Sequence, residues 1–152
     1  KFREWLYDET KITISKGHQS VVKGAKTRKW IHLLIGEFLL KTRKDEQWIE
    51  GLESDDLVLL AAQQFNQALD LLTTHSPGTV VAESEKLLLE VAELNYEAGV
   101  IARKRSAFKP AATFLRCSLK ALNRKNGNNL WEHDYRLTLD VSCLLARMEY
   151  CH

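Results

Sequence analysis

The sequence predicts an all-α protein, and three observations carry that prediction. Only 2 prolines and 7 glycines occur in 152 residues, too little punctuation for the many hairpins of an all-β fold. From Thr27 onward, apolar side chains recur at three- and four-residue spacing, the period of a buried helix face. Basic residues gather where the periodic stretches end, as at Lys41, Arg43 and Lys44 and again at Arg103 to Arg105, which suits the negative end of a helix dipole. A composition of 45% hydrophobic and 28% charged residues argues against a disordered chain. A domain of this size buries roughly 68–70% of its unfolded surface, so it folds without disulfide or metal. The longest apolar stretches, Leu57 to Ala62 and Val141 to Ala146, fall well short of the roughly 20 residues of a membrane span.

Residues 1 to 26 read as a divergent N-terminal segment or linker. Phe2, Trp5, Leu6, Ile12 and Ile14 hold neither period for long, and Gly17 and Gly24 interrupt. A first helix is predicted over about 28 to 43, with Trp30, Ile31, Leu34, Ile35, Phe38 and Leu39 as its inner face. Asp45 to Asp56, with six acidic side chains and Gly51, reads as a solvated linker. Ser54 is placed to cap a second helix, about 55 to 73, whose stripe is Leu57, Leu60, Ala61, Phe65, Ala68, Leu71 and Leu72. Thr73, Thr74 and Ser76-Pro77-Gly78 close it.

The longest helix is predicted over about 82 to 105, with Leu87, Leu88, Val91, Leu94, Ala98, Ile101 and Ala102 facing inward. Its acids lie toward the start and its bases at the end, an arrangement worth about 0.3–1 kcal/mol per well-placed charge. Ser106 is placed to cap the next helix, about 107 to 123, where Pro110 falls in the tolerant first turn. Its inner face is Phe108, Ala111, Ala112, Leu115, Leu119 and Leu122. After the Asn-rich loop 123 to 129, Asn129 and Glu132 approximate a capping box for a last helix starting near Leu130. That helix is apolar on more than one stripe, through Trp131, Tyr135, Leu137, Leu139, Val141, Leu144, Leu145 and Met148. It is therefore expected to be sandwiched between neighbours on two sides.

Consecutive helices with short connections pack as antiparallel pairs, and the pairs here share a pattern. Trp30 to Arg43 and Glu93 to Lys104 each carry a mid-helix glycine, Gly36 and Gly99, with an apolar residue five positions before. Such a glycine costs about 1 kcal/mol against alanine, and close approach of a partner helix is its usual justification. Ala98-Gly99, Ala102, Phe108 and Ala111 fall at the offsets of small and aromatic residues in the tetratricopeptide repeat. The second pair therefore resembles that repeat, while the first matches only at Gly36.

A broader resemblance covers about residues 25 to 151. The run Ile31 to Leu40, then Phe65-Asn66-Gln67-Ala68, then Ala92 to Gly99 with Ala102-Arg103, then Ala107 to Ala111, and finally Trp131 through Tyr135 to Leu139 is similar to the helical-repeat region of large signalling ATPases. In that family the region follows an AAA-type or STAND-type nucleotide-binding domain, often in one polypeptide with serine/threonine kinase or GAF and histidine-kinase domains. Trp5-Leu6-Tyr7-Asp8 keeps the aspartate of the family's leading segment but has Tyr7 where the family has histidine. The resemblance implies a tetratricopeptide-like, right-handed array of about three helical hairpins over residues 27 to 152. It implies a non-catalytic, protein-interaction or regulatory scaffold, with the ATPase and kinase motifs outside this segment. Gly36, Gly99, Ala102 and Ala111 are then structural, at the helix crossings. The chain opens at Lys1 without a signal or transit peptide, which reads as part of a longer cytoplasmic protein. Its odd set of Cys117, Cys143 and Cys151 fits a reducing compartment.

Chemistry-bearing motifs are sparse. Neither GxxxxGK[ST] nor GxGxxG occurs, so no phosphate-cradling loop of that type is present and no cofactor is expected. His18, His32, His75, His133 and His152 are scattered, and no two share the HExxH spacing. A metal set of Cys151 and His152 with His133 or Cys143 has only proximity in its favour, and Cys117 and Cys143 read better as small core residues. A Cys117–His133 nucleophile pair has no supporting motif. Glu132 and Asp134 read as first-turn helix residues rather than catalytic carboxylates. No catalytic or metal residue is assigned.

The net charge of +2 conceals a local asymmetry. Residues 98 to 131 contain no acid but carry Arg103, Lys104, Arg105, Lys109, Arg116, Lys120, Arg124 and Lys125. A solvated face balanced by the acidic half-helix 82 to 97 is one reading, and an acidic partner or neighbouring domain is the other. On the second reading Arg103, Arg105, Lys109, Arg116 and Lys120 are the candidate contact residues. A free-standing nucleic-acid-binding module is the alternative function, but the nearby Phe108 and Phe114 suit a core better than base stacking, which argues against nucleic acid as a partner.

Overall fold

The computed structural model describes residues 24–44, 53–74, 81–123 and 134–151. The expectations for residues 1 to 23, the Ser76-Pro77-Gly78 stop, the Asn129–Glu132 box, Trp131 and four of the histidines lie outside them. The described residues are helical apart from short turns, with no strand among them. We number the helices α1 (Gly24–Lys44), α2 (Ser54–Thr74), α3 (Val81–Lys104), α4 (Phe108–Leu122) and α5 (Tyr135–Tyr150).

Each helix packs most closely on its chain neighbours, α1 on α2 and α3 on α4 above all. Cross-helix contacts fix the directions. Lys29 meets Asp70 and Gly36 meets Phe65 between α1 and α2. Asp56 meets Arg105 and Asn66 meets Asn95 between α2 and α3. Ala92 meets Ser118, and Gly99 meets Leu115, between α3 and α4. In every set one number rises as the other falls, so α1 to α4 alternate in direction, each antiparallel to the next.

One core runs through all five helices, from Leu33 and Leu40 through Phe65, Val91, Ala98 and Leu115 to Val141 and Met148. Two mid-helix glycines set its closest approaches. A Cβ on Gly99 would lie 2.8 Å from Leu115 Cγ, and one on Gly36 would lie 3.1 Å from the Phe65 ring. Small residues line the same crossings: Ala102 is 4% exposed, and Ala98, Ala111 and Ala112 are fully buried.

The periodic stretches locate α2, α3 and α4 well, while both ends of the array differ from expectation. In α1 the buried positions are Leu33, Gly36, Leu39, Leu40 and Thr42, and Trp30 is 40% exposed. The helix is apolar on nearly every side, so its period is ambiguous, and the contact of Gly36 with Phe65 selects the face. In α5 a single stripe is buried, Thr138, Val141, Leu144 and Met148. Leu139 and Cys143 face outward, so the expected sandwich is absent among the described residues and Cys143 is not a core residue.

Two capping expectations and one helix start are also corrected. The Leu57 amide donates to the Glu53 carbonyl, which makes Ser54 the first residue of α2 rather than its cap. Asp55 and Asp56 therefore belong to the first turn of a helix, not to a linker. Asp134 precedes α5 and its carboxylate accepts the Leu137 amide at 2.9 Å, so α5 starts beyond Leu130 with an aspartate cap. Ser106 terminates α3 instead of starting α4: its φ is 58°, its amide donates to Arg103, and the Ala107 amide donates to Ala102. Those two bonds form a Schellman closure with serine where glycine is usual. The N-cap of α4 is Ala107, which offers no side-chain bond.

Candidate interaction surface

The basic residues singled out in the sequence fall into two groups. Because α4 buries Ala111, Ala112, Phe114, Leu115, Ser118 and Ala121, its other face is open. Lys109, Thr113, Arg116 and Lys120 form one exposed row there, at spacings of four, three and four. Arg103 and Arg105 sit at the turn feeding that helix, Arg103 half-buried and Arg105 exposed. The short three-residue turn between α3 and α4 is what brings the two groups side by side.

Much of this charge is met from within the chain. Arg105 donates to Asp56 Oδ1 at 2.7 Å and lies 3.9 Å from Asp55 Oδ2. Arg116 donates to Glu149 on α5. Lys120 Nζ lies 2.6 Å from Asp70 Oδ1, and Lys29 of α1 reaches the other oxygen of the same carboxylate at 3.2 Å. Asp70 thus ties α1, α2 and α4 together. Hydrogen bonds from Lys120 and Lys29 hold its carboxyl below the ordinary carboxylate range.

The acids that meet the block come from α2 and α5, not from the acidic half of α3. Glu90 and Glu97 of α3 pair instead with Lys44 and Arg43 of α1, at 2.9 and 2.8 Å. Charge is therefore exchanged between helices, the acids of α3 answering α1 and Arg105, just beyond the end of α3, answering α2. These are exposed or half-exposed pairs, screened by solvent and individually weak. They set register more than they stabilise. Among the described residues Arg103 and Lys109 show no such pairing, and they flank the uncapped start of α4, where the helix dipole adds partial positive charge.

Buried polar groups went unnoticed in the sequence. Asn95 is fully buried, donates to the Val91 carbonyl at 2.9 Å and accepts from Asn66 Nδ2 at 2.8 Å. Ser118 is also fully buried and donates to the Ala92 carbonyl at 2.8 Å across α3 and α4. His32 and Gln64 make a 2.7 Å contact between α1 and α2. Asn95 was findable: it lies on the inward stripe of Leu88, Val91, Ala98 and Ala102, where a polar residue has to be satisfied. Asn66 Oδ1 is buried with no hydrogen-bond partner among the described residues.

Among the described residues no group of three or more His, Cys, Asp or Glu side chains could hold a metal ion. Cys143 and Cys151 are exposed, and Cys117 is half-buried. Burial pushes the Cys117 thiol up, the opposite of an activated nucleophile. His133 and His152 lie outside the described residues. No described helix is long and apolar enough to cross a membrane.

No family model matches the chain, and no curated protein or solved structure matches it.

Proposed function

We propose that this chain is a non-catalytic helical scaffold, a tetratricopeptide-like, right-handed array of antiparallel helical hairpins that binds protein. In this reading it is a regulatory segment of a cytoplasmic signalling ATPase or kinase and contacts an acidic partner or a neighbouring domain. The observation that carries it is the equivalence of the two helix pairs. In each, a mid-helix glycine on the first helix lies under one bulky side chain of the second, Gly36 under Phe65 and Gly99 under Leu115. A repeated packing unit stacked on its neighbour is how extended helical arrays build binding surfaces.

Arg103 and Lys109 are then the contact residues with charge to spare, while Arg105, Arg116 and Lys120 first hold the helices in register. The same internal pairing weakens the nucleic-acid alternative, since it leaves fewer free cations for a phosphate backbone. The test is a titration of the chain with a glutamate-rich peptide and, separately, with generic single- and double-stranded DNA and RNA over a range of salt. The expected result is binding of the acidic peptide that is lost in the Arg103→Glu, Lys109→Glu variant. Nucleic-acid binding with a steep salt slope would replace this reading by the alternative, and no binding of either probe would remove the basic surface as a contact site.

A further inference from the structure

We propose that the outward face of α5 is a self-association surface, on which a second copy of this chain docks its own α5 antiparallel about a two-fold axis near Cys143.

The face is apolar where a surface helix is normally polar. Leu139, Cys143, Ala146 and Tyr150 are all exposed, at spacings of four, three and four, so they line one strip opposite the buried stripe of Val141, Leu144 and Met148. Leu139 is 38% and Tyr150 94% exposed. The strip differs from the exposed faces of the other helices, which carry the interhelical ion pairs of Lys29, Arg43, Lys44, Arg105, Arg116 and Lys120.

Charge complementarity identifies the occupant. One edge of the strip carries Arg136, Asp140 and Arg147, all exposed, and none of them takes part in an ion pair with another described residue. Asp140 and Arg147 lie seven residues, two helical turns, apart on that edge. In an antiparallel pair related by a two-fold axis, like edges face each other. Centring the axis between Cys143 and Leu144 then sets Asp140 of each copy opposite Arg147 of the other, twice over by symmetry. The same register places the two Cys143 side chains beside the axis and Leu139 between Ala146 and Tyr150 of the second copy. The surface thus complements itself in both polarity and charge, as an isologous interface requires.

α5 has 16 residues and is about 24 Å long, so the contact belongs to the small class below about 1,200 Å² and is reversible. Sedimentation equilibrium of the full chain under reducing conditions, up to about 1 mM and so spanning Kd values well above 1 µM, is expected to show a monomer–dimer equilibrium. Asp140→Arg alone and Arg147→Asp alone replace two attractive contacts by two repulsive ones and are each expected to weaken dimerisation about tenfold or more. The double variant restores the pairs in reverse and regains dimerisation. Both positions are exposed, and unchanged circular dichroism and melting confirm that the fold is intact. In a Cys151→Ser background a short bismaleimide is expected to link two copies through Cys143, with Asp140→Arg suppressing the product. A chain that stays monomeric throughout, or a dimer indifferent to both single charge reversals, overturns the proposal.

Discussion

Gly99→Ala isolates the packing that defines the α3–α4 pair. A Cβ built there would stand 2.8 Å from Leu115 Cγ and 2.9 Å from its Cδ2. Leu115 is fully buried, so its branch point has no free direction in which to move. Two effects oppose each other. Alanine in a helix interior gains about 0.8–1.0 kcal/mol over glycine, while overpacking a well-filled core costs about 1–3 kcal/mol. The net is a loss of up to about 2 kcal/mol, which for a chain of this size lowers Tm by up to about 8 °C. Leu115→Ala by itself costs about 2–5 kcal/mol, but it clears the space. In that background Gly99→Ala faces no obstruction and should stabilise by about 1 kcal/mol, the propensity gain alone. Urea denaturation of the four proteins in a double-mutant cycle should therefore return a coupling energy of about 1–3 kcal/mol. If Gly99→Ala raises stability equally in both backgrounds, the two helices do not cross at that glycine.

Further outcomes follow from single features. Ser106 holds a left-handed backbone that costs a non-glycine residue about 1–2 kcal/mol, so Ser106→Gly should raise the denaturation midpoint; a lower midpoint would show that the α3–α4 turn is not closed this way. Asp70→Asn removes two exposed ion pairs and should cost about 0.4–2 kcal/mol in all near neutral pH. Because the folded carboxyl value lies below the unfolded one, that contribution is complete above the unfolded value of about 3.9. It is lost as pH falls through the lower folded value, so wild type and variant should converge in acid denaturation. A difference that persists at the acid limit would rule out a charge-based role. In native thiol labelling near neutral pH, exposed Cys143 and Cys151 should react quickly and half-buried Cys117, with its raised value, slowly; equal rates for all three would contradict the packing of α4.

The helices themselves were legible because their signals are local. The stripes of α2, α3 and α4 each combine a clear period with polar flanks, and the buried sets share their centres: Phe65 and Ala68, Val91 and Ala98, Ala111 and Leu115. In α2 and α4 the buried face is turned from the stripe, taking in Val58, Ala62, Leu69, Ser118 and Ala121 and leaving Leu60, Leu72, Phe108, Leu119 and Leu122 half-buried. Gly36 and Gly99 announced close approaches because a helical glycine is costly without one. Ambiguity arose where a helix is apolar on several sides. In α1 the apolar pattern points to a face that includes Trp30, which is exposed, and in α5 it shows two stripes of which one is buried. Terminal geometry was less legible still, because a serine before a helix and a serine after one look alike. Only the backbone angle of Ser106 distinguishes a helix end from a helix start.

The basic block marks the same boundary. Sequence alone determined that residues 98 to 131 carry positive charge without acid, and that Lys109, Arg116 and Lys120 share one face of a helix, since charge and helical period are properties of neighbouring residues. Tertiary structure decided which charges are already answered: Asp56, Asp70 and Glu149 arrive from helices 33 to 50 residues away in the chain. Tertiary packing also decided that Leu139, Cys143 and Tyr150 look outward. A side chain's partners depend on which helices meet, and that is set by the whole core rather than by any local stretch of the chain.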